Sequence, residues 1–451
     1  MRLPQNPPSW QVLLKHPKLF SDLAASEEVR VIAEKANTEY TPWEEFHHKF
    51  SAPKGLKIED IWRFLRFSRI SSARIFPLVG PDGQAFNYGM PDRVLRDLQF
   101  IEHYAGAQLE VLEPSSPGRA DRDRYLVNSL MQEAITSSQL EGAAITLEQG
   151  KAMLRAGRQP ASESERMVLN NYRTVLRLKE LGSRPLSVEM IHDLQRGITE
   201  GTLDKPDAAG RFRRPDEVVR VYDEADGTIL HVPPPAEALP ERIQRLCVLA
   251  NDTSDRPFIH PIIRAILLHF WLAYEHPYCD GNGRTARALF YWFMLKSGYW
   301  LMEFVSVSNA LLQAPAQYRN AFLYTETDEG DTTYFIVYHL KALRRALEDL
   351  KAYIERKQTE AVEMVRLLRD RQDLNHRQHA LLHHALRHKG AIYTFQSHAT
   401  SHRVSLGTAR TDLFVLVKGG FLEERRRGRE YVFIPARDLP EKIRATNQGE
   451  D

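Results

Sequence analysis

The chain has very little cysteine and no long apolar segment. Its 451 residues include two cysteines, Cys247 and Cys279, which lie far apart and form no CxxC or Cys/His spacing. The sequence therefore supports neither a disulfide framework nor a thiolate zinc site. The N-terminal MRLPQNPPSW lacks the apolar stretch of a secretory signal, and the longest apolar run, IIRAILLHFWLAY, is too short for a membrane helix and carries Arg264 and His269. These absences predict a soluble, cytoplasmic protein with no membrane partner.

A strong net charge is also missing. There are 61 Lys and Arg residues against 59 Asp and Glu residues, which gives a formal charge of +2. No overall field therefore recruits nucleic acid or a membrane. Between residues 371 and 440, however, twelve Lys or Arg accompany only six Asp or Glu, so positive charge is concentrated near the C-terminus.

Helical periodicity dominates the sequence and predicts a mainly α fold. Apolar residues recur at three and four residue spacing in segments such as RYLVNSLMQEAITSSQLEG and RMVLNNYRTVLRLKELG. Three segments rich in turn residues instead predict β-hairpins: ISSARIFPLVGPDGQAFNYGMPD, EVVRVYDEADGTILHVPPP and GGFLEERRRGREYVFIPA.

Changes in this pattern divide the chain into four predicted regions. A packing region covers 1–118, a helical core covers 119–349, a linker helix covers 350–374 and a C-terminal domain covers 375–440. The linker prediction comes from a charged segment with a narrow apolar stripe formed by Leu343, Leu347, Leu350 and Ile354.

One twelve-residue stretch, HPYCDGNGRTAR from His276 to Arg287, concentrates the chemistry. The apolar run IIRAILLHFWLAYE before it is expected to end as a helix at the His276-Pro277 step, and RTARALFYWFMLKSG is expected to start a second helix just after Gly283. Gly281 and Gly283 let the backbone turn with its N–H groups exposed at the positive end of the second helix. The junction is therefore predicted to bind an anion such as phosphate.

Four polar residues complete this predicted site. Arg284 and Arg287, in the first turn of the second helix, are expected to grip further phosphate oxygens. Asp280 offers a hard oxygen ligand for magnesium shared with the phosphates, and His276 is placed to take the proton of an attacking hydroxyl. DGNG alone is a common tight turn and the arginines alone are ordinary surface charge, so the combination indicates the function.

Two common motifs do not fit this stretch. An EF-hand is excluded because its third position would be a glycine-flanked Asn and its fifth an Arg, and a Walker A loop is excluded because Gly-Lys-Ser/Thr is missing. The stretch instead resembles the signature of the Fic (Fido) family, HPFx(D/E)GNGRxxR, at every fixed position except Tyr278, which replaces Phe. Residues 119–349 also resemble the Fic core in the order of their elements.

The resemblance implies a protein adenylyltransferase that transfers AMP from ATP to a hydroxyl side chain of a target protein, with Mg2+ as cofactor. The resemblance implies that His276 is the base and Asp280 the metal ligand. It implies that Gly281, Asn282 and Gly283 form a phosphate cradle, in which Asn282 orients the α-phosphate. It also implies that Arg284 contacts the transferred end of the triphosphate and that Arg287 contacts the γ-phosphate. Tyr278 keeps an aromatic ring where the family has Phe, but its hydroxyl then needs a partner.

A second constellation lies upstream. EAITSSQLEG places Ser137 and Glu141 one helical turn apart on one face of a predicted helix that ends at Gly142. Within the family this resembles the inhibitory motif (S/T)xxxE(G/N), here N-terminal to the catalytic loop. If Glu141 pairs with Arg287, that guanidinium cannot also hold the γ-phosphate, which predicts autoinhibition. The same carboxylate is alternatively a base that activates water to remove AMP.

The middle hairpin turns at Asp226-Gly227 and ends in prolines. It resembles the flap of the family, whose exposed edge is suited to dock an extended target segment by main-chain pairing. A purely structural hairpin is the alternative.

The C-terminal region resembles a winged helix-turn-helix, because three helical segments precede a hairpin. Candidate DNA contacts to bases are Thr408 and Arg410, and candidate phosphate contacts on the wing are Arg425, Arg426, Arg427 and Arg429. Protein binding by the same module is the alternative.

Three functions follow from these motifs. The leading interpretation is an adenylyltransferase autoinhibited by Glu141 and coupled to the C-terminal module. The others are a winged-helix transcriptional regulator whose Fic domain senses nucleotide, and a Fic enzyme that removes AMP or uses another donor. The target protein, its modified residue and a homodimeric state are left open by the sequence.

Overall fold

The computed structural model describes residues 3–80, 83–106, 119–182, 184–223, 225–254, 256–369, 373–388, 390–427 and 430–446. The chain divides into two compact units, one formed by Met1–Ala107 with Leu126–Glu348 and the other by Gln108–Tyr125 with Asp349–Asp451. Helices dominate both units, as the periodicity predicts. Among the described residues, no helix combines the length and apolar character that a membrane crossing needs.

The described residues form nineteen α-helices. They are α1 Pro17–Ala25, α2 Glu27–Glu39, α3 Trp43–Lys49, α4 Ile58–Ser71, α5 Asp92–Gly106, α6 Arg119–Gln139, α7 Leu147–Ala156, α8 Glu163–Leu181, α9 Val188–Ile198, α10 Leu239–Asn251, α11 Pro261–Glu275, α12 Asn282–Lys296, α13 Val307–Leu312, α14 Pro315–Thr327, α15 Thr333–Arg369, α16 His376–Arg387, α17 Phe395–His402, α18 Leu406–Lys418 and α19 Leu439–Thr446.

Each of the three segments predicted to be a hairpin forms a two-stranded antiparallel sheet. The strands are β1 Arg74–Val79, β2 Ala85–Tyr88, β3 Val221–Tyr222, β4 Ile229–His231, β5 Leu422–Arg427 and β6 Glu430–Pro435. The β3–β4 pair is short and shifts register between Val221 and Tyr222. Turn residues thus located all three sheets.

Helices α11 and α12 form the centre of the first unit. Nearly every residue of α11 is buried, and the helix ends at His276, whose backbone adopts the left-handed conformation with φ 46°. Helix α12 packs against α8, α9 and α11 and begins at Asn282, slightly before the predicted start after Gly283. The earlier start follows from Gly281, which already reverses the chain with φ 81°.

Buried charges join the N-terminal helices to the connection between α14 and α15. Arg66 of α4 forms ion pairs with Asp328 at 2.9 Å and Asp331 at 2.8 Å, and all three side chains are almost fully buried. Tyr40 donates a hydrogen bond to Asp331 at 2.7 Å. Residues 1–107 therefore pack as part of the same compact unit as the centre rather than as a unit of their own.

Helix α15 explains the charged segment that was predicted to be a linker. It begins at Thr333, so the predicted linker at 350–374 is largely the second half of a longer helix. The apolar stripe of Leu343, Leu347, Leu350 and Ile354 is buried, as its spacing predicts.

The second unit is built around helices α16 to α18 and the β5–β6 hairpin. Its core includes Leu382, Leu413 and Phe433, each fully buried. Helix α19 was not predicted and extends past the expected end at residue 440. Its Leu439 and Ile443 join the same core, so α19 is part of this unit.

Candidate active site

The candidate site is the loop between α11 and α12. Gly281 is the N-cap residue of α12, and because it has no side chain the first N–H groups of the helix receive no cap from it. A Cβ added to Gly281 would lie 2.7 Å from Cγ2 of Thr199, so the backbone approaches α9 more closely than any other residue type allows. The uncapped N–H groups and the helix dipole together favour an anion at this loop, which is called the anion site below.

Hydrogen bonds from inside the loop and from α9 fix its shape. The Asn282 side chain accepts from Tyr278 N at 2.9 Å and donates to Tyr278 O at 2.8 Å, so both ends of its amide hold the loop closed. A contact of Asn282 with a phosphate is therefore left to its backbone N–H. Gln195 of α9 donates to Asp280 O at 3.0 Å. The Tyr278 hydroxyl, which was expected to need a partner, bonds with His192 Nδ1 at 3.0 Å.

His276 lies at the mouth of this loop and is partly exposed. Its Nδ1 lies 3.3 Å from the carbonyl of Ala273, so the N–H is assigned to Nδ1 and Nε2 keeps its lone pair. Arg213 holds the backbone here, with Nε donating to His276 O at 3.0 Å and its amide donating to Pro277 O at 2.9 Å. Burial, followed by the charge of His231, lowers the pKa of His276 to about 4. The ring is therefore neutral at ordinary pH and able to accept a proton.

Arg284 and Asp280 are paired with each other. Arg284 Nη2 lies 2.9 Å from Asp280 Oδ2, and Nη1 donates to the Ile198 carbonyl at 3.3 Å. Arg284 is fully buried, whereas the Asp280 side chain is 46% exposed. The pair places a guanidinium below the loop and an accessible carboxylate at its mouth.

Arg287 faces helix α6 instead. Its Nε donates to Ser137 Oγ at 2.9 Å, and its Nη2 donates to Ser137 O at 2.8 Å and to Glu141 Oε1 at 2.9 Å. The structure thus brings together the two motifs that the sequence placed 146 residues apart. Glu141 was predicted to lie on the helix, but it lies in the turn after the helix ends at Gln139, where Gly142 reverses the chain with φ 86°.

The Glu141 carboxylate occupies the anion site. A Cβ added to Gly283 would overlap Glu141 Oε1, so the carboxylate lies directly over the first turn of α12. Burial acts to raise the pKa of Glu141, but Arg287 and then Arg284 outweigh it, so the pKa is lowered and the group is an anion. An internal carboxylate therefore fills the position that is suited to an external anion.

Glu133 fixes α6 one turn before Ser137. Its buried carboxylate accepts from Tyr291 OH at 2.7 Å, from Ser306 Oγ at 3.0 Å, from Ser308 N at 3.0 Å and from Ser308 Oγ. Tyr291 belongs to α12 and Ser308 to α13, so these bonds set the position of α6 against the helix that carries Arg287. Hydrogen bonds to a carboxylate are strong when they are buried.

The β3–β4 hairpin adjoins the same loop. His231, the last residue of β4, contacts Tyr274 O at 2.7 Å and Glu326 Oε2 at 2.8 Å. Asp223, after β3, pairs with Arg319 at 3.2 Å. Tyr222, Ile229 and Val232 are substantially exposed, so apolar side chains of the hairpin face solvent.

The described residues hold no group of three or more His, Cys, Asp and Glu side chains that would cage a metal ion. One accessible carboxylate, Asp280, lies at the mouth of the anion site. Magnesium usually binds through one or two carboxylates together with substrate phosphates. The donor set therefore fits magnesium carried in with a polyphosphate.

The candidate DNA contacts lie in the second unit. Arg410 is exposed and lies over the Phe395 and Phe414 rings at 6.0 and 5.6 Å. Thr408 Oγ1 lies 2.9 Å from Ser405 Oγ at the N-terminus of α18. Two of the arginines predicted on the wing have partners on the hairpin: Arg425 pairs with Glu423 at 3.1 Å, and Arg426 donates to Tyr431 OH at 2.7 Å. Arg427 is the last residue of strand β5, and Arg429 lies outside the described residues.

Sequence reasoning missed four residues that shape the site. Two of them contact the loop from distant positions in the chain, namely Arg213 and Gln195. The other two contact the flanking helices, His231 on α11 and Glu133 on α12. Arg213 could have been found from the clustered arginines of the GRFRRP segment, which lies directly before the predicted flap. The other three have no local pattern that marks them.

Comparisons with known proteins match the segment of the chain that contains this loop. A family model described as Fic/DOC family matches residues 185–294, which include the whole loop between α11 and α12. The protein adenylyltransferase Fic of Nematostella vectensis is 28% identical over 195 residues, 40% of this chain and 41% of the relative. The protein adenylyltransferase fic-1 of Caenorhabditis elegans is 36% identical over 114 residues, 25% of this chain and 20% of the relative. The chain thus spans less than half the length of these curated relatives.

A solved structure extends the similarity beyond the matched segment. The crystal structure of a Fic family protein from Desulfovibrio desulfuricans G20 aligns with 76% of this chain and 96% of its own, with a TM-score of 0.51 and 18% sequence identity. At this identity the likeness establishes the fold alone.

Proposed function

Because residues 185–294 match the Fic/DOC family across the whole catalytic loop, we propose that this chain is a protein adenylyltransferase that Glu141 holds in an inhibited state. One observation carries the proposal. The carboxylate of Glu141 lies over Gly283 and pairs with Arg287, beside a histidine with a free lone pair. The position that this carboxylate occupies suits a phosphate of ATP, because the N–H groups, the helix dipole and the guanidinium all favour negative charge there.

The chemistry is a transfer at the α-phosphorus. The hydroxyl oxygen of the target attacks that phosphorus while the bond to the pyrophosphate oxygen breaks, and Nε2 of His276 takes the hydroxyl proton. AMP becomes attached to the target and pyrophosphate leaves. Such transfers depend on alignment and on neutralised charge more than on covalent help. The closed loop supplies the alignment, and Arg284 and Arg287 supply positive charge.

Asp280 would hold Mg2+ together with oxygens of ATP. When bound, the ion would neutralise negative charge on the phosphates, which supports departure of pyrophosphate. Arg284 already holds one oxygen of Asp280 and leaves the other available.

Inhibition follows from competition for one guanidinium. While Arg287 binds Glu141, it cannot also bind the γ-phosphate. Charge-assisted hydrogen bonds contribute about 1.5–3 kcal/mol each, so this pair suppresses productive binding by roughly tenfold or more. The β3–β4 hairpin then serves as a flap that docks an extended segment of the target protein by main-chain pairing.

The test uses the full chain and ATP labelled at the α-phosphate or at the γ-phosphate, with magnesium. The parent, E141G, E141G/H276A and E148G are compared, and E148G is the control because Glu148 is exposed on α7. We expect α-label on the protein itself or on an added lysate protein to increase at least tenfold in E141G. It should be lost in E141G/H276A and unchanged in E148G.

Other outcomes assign other functions. Retained γ-label indicates kinase chemistry, and release of AMP from a labelled protein in the parent but not in E141G indicates that Glu141 activates water. No retained label in E141G with ATP, together with label from another nucleotide, indicates a different donor. No transfer of any kind favours a nucleotide-sensing regulator.

We also propose that α16 to α18 and the β5–β6 hairpin form a winged helix that binds duplex DNA. Exposed Arg410 on α18 favours a base contact, and exposed Arg425 and Arg426 on the hairpin favour phosphate contacts. Each neutralised phosphate releases counterions, so binding should weaken steeply with salt. The module thus couples the enzyme to a regulatory partner.

Duplex binding of the full chain at increasing salt tests this. R425A should weaken binding and reduce the salt slope by about one, and R410A on α18 should reduce the discrimination between DNA sequences. K418A, at the far end of the same helix, is the control and should change neither. Binding that is absent or independent of salt would instead favour a protein partner for this module.

A further inference from the structure

The ring of His231 contacts two acceptors. Its Nε2 lies 2.7 Å from the carbonyl oxygen of Tyr274, and its Nδ1 lies 2.8 Å from Oε2 of Glu326. The side chain is only 9% exposed. A carbonyl and a carboxylate have no proton to donate, so the two hydrogen bonds together require a proton on each ring nitrogen. The geometry therefore demands the imidazolium form of His231.

The charged surroundings of His231 agree with this form. Burial acts to lower the pKa of His231, but hydrogen bonding and charge from Glu326, with Tyr274 O and Glu275 adding to them, outweigh burial and raise it. Glu326 comes from α14 and Glu275 from the end of α11, while Glu329 lines the same cleft. A neutral ring would direct a lone pair at one of its acceptors and lose that bond.

The position of His231 ties the flap to the catalytic loop. His231 ends strand β4, and Tyr274 belongs to the last turn of α11, two residues before His276. Three residues farther along the flap, the Pro234 carbonyl accepts a hydrogen bond from Arg213, which also binds the His276 carbonyl. The end of the flap is thus fixed at two points to the backbone around His276.

We propose that His231 is a positively charged latch, which pins the flap to the end of α11 and through its charge adds to the burial that disfavours a proton on His276. His231 would be a positioning residue, because it acts through His276 and the flap and not on the reacting atoms. The value of a neutral His276 as a base rests on the proposed function. The charge coupling between the two rings does not depend on it.

The coupling sets a pH window with two limits. Because His231 binds its proton more tightly in the folded chain, its contribution to stability is present at low pH and is lost as the pH rises through its raised folded pKa. His276 gains a proton only as the pH falls towards about 4. Between these limits the flap is latched and His276 is neutral.

Histidine ring signals in NMR spectra of the full chain, followed through a pH titration, test the proposal without measuring enzyme activity. H231Q and H276Q assign the two rings by difference, and E326Q removes the carboxylate partner. H260N is the matched control, because His260 caps the opposite end of α11, faces Glu102 at 3.4 Å and can be replaced by Asn without loss of a cap.

We expect His231 to titrate above the ordinary imidazole pKa of about 6.5. In H231Q the pKa of His276 should rise by roughly one unit, as expected for loss of a neighbouring unit charge in a protein interior. E326Q should lower the pKa of His231, and H260N should leave that of His276 unchanged.

Two results overturn the proposal. One is a pKa of His231 in the wild-type chain at or below the ordinary imidazole value. This result needs a variant only to assign the ring signal. The other is an unchanged His276 in H231Q, or, if that variant does not fold, an unchanged His231 in E326Q. Failure of AMP transfer with labelled ATP would leave these ring titrations as they are, so the two proposals fail separately.

Discussion

Gly281 lies against the side chain of Thr199, and this contact closes the loop before α12 onto helix α9. Two requirements meet at this position, since φ is 81° and a Cβ would lie 2.7 Å from Cγ2 of Thr199. Gly227, in the turn of the β3–β4 hairpin, has a φ of 71°, but a Cβ there would meet no described atom within 4 Å. A comparison of substitutions at the two glycines therefore separates the cost of backbone strain from the cost of close packing.

We predict that G227A destabilises the chain by about 1–2 kcal/mol from backbone strain alone. G281A should lose that amount and roughly 1–3 kcal/mol more, because Thr199 must move. Urea unfolding followed by tryptophan fluorescence measures both, since all six tryptophans lie in the first unit. Equal losses in the two variants would show that the contact with Thr199 contributes nothing.

Loss of Glu133 should activate the enzyme while it destabilises the fold. E133A removes the acceptor of hydrogen bonds from Tyr291, Ser306 and Ser308, which should cost about 3 kcal/mol of the free energy of unfolding. Because α6 is then no longer held against α12, Glu141 should leave Arg287 more often. We expect α-label transfer above the parent but below E141G.

Two further variants make this experiment specific. Y291F removes one of the hydrogen bonds and should have a smaller effect in the same direction. Q132A changes the neighbouring, half-exposed residue of α6 and should have neither effect. If E141G is active but E133A transfers no more than the parent, Glu133 has a structural role only.

The pH dependence of transfer should lack a histidine step near neutrality. Protonation removes the base, so the rate falls as the pH drops through the pKa of His276, which burial and the charge of His231 lower to about 4. The charge of Glu141 raises this pKa, so it should be lower still in E141G. We therefore expect kcat/KM of E141G to stay level between about pH 5 and 8 as far as His276 is concerned. An inflection of kcat/KM near the ordinary histidine pKa would contradict this.

Arg213 should affect the rate of transfer more than the binding of ATP. It holds the carbonyls of His276 and Pro234, and His276 has a left-handed backbone that is unfavourable for a residue with a Cβ. In the E141G background, R213A should lower kcat by about tenfold or more, which corresponds to loss of one buried charged hydrogen bond, with little change in KM for ATP.

R213K and R214A are the comparisons for this test. Lysine cannot reach both carbonyls with the planar fork of arginine, so R213K should restore only part of kcat. Arg214 is exposed and pairs with Asp207 at 3.3 Å, so R214A should leave both parameters unchanged. A rise in KM for ATP without a change in kcat would assign Arg213 to nucleotide binding.

The local elements of this site are visible in the sequence. Proline after His276 ends α11, glycines turn the loop, and the apolar stripe of α15 marks its buried face. Each of these depends on the chemistry of residues within a few positions of one another. Even here the sequence placed Glu141 on α6, whereas the left-handed Gly142 and the turn before it carry the carboxylate beyond the end of the helix.

The residues that hold the site together are not visible in the same way. His231 and Glu326 are 95 residues apart, and Glu133 and Ser308 are 175 apart. No helical or strand period relates such pairs, because folding alone brings their helices and strands together. Arg284 shows the same difficulty, since a first-turn arginine was expected to contact phosphate and instead is fully buried against Asp280 and the Ile198 carbonyl.

The buried ion pairs of Arg66 bear on how small a fragment of this protein can be produced. A fragment that begins at the family match would keep Asp328 and Asp331 in their buried setting without the guanidinium that neutralises them. An uncompensated charge in such a place costs several kcal/mol, a large part of the stability of a typical domain. The smallest autonomous version of this protein should therefore retain α4, more than a hundred residues upstream of the segment that matches the Fic/DOC family model.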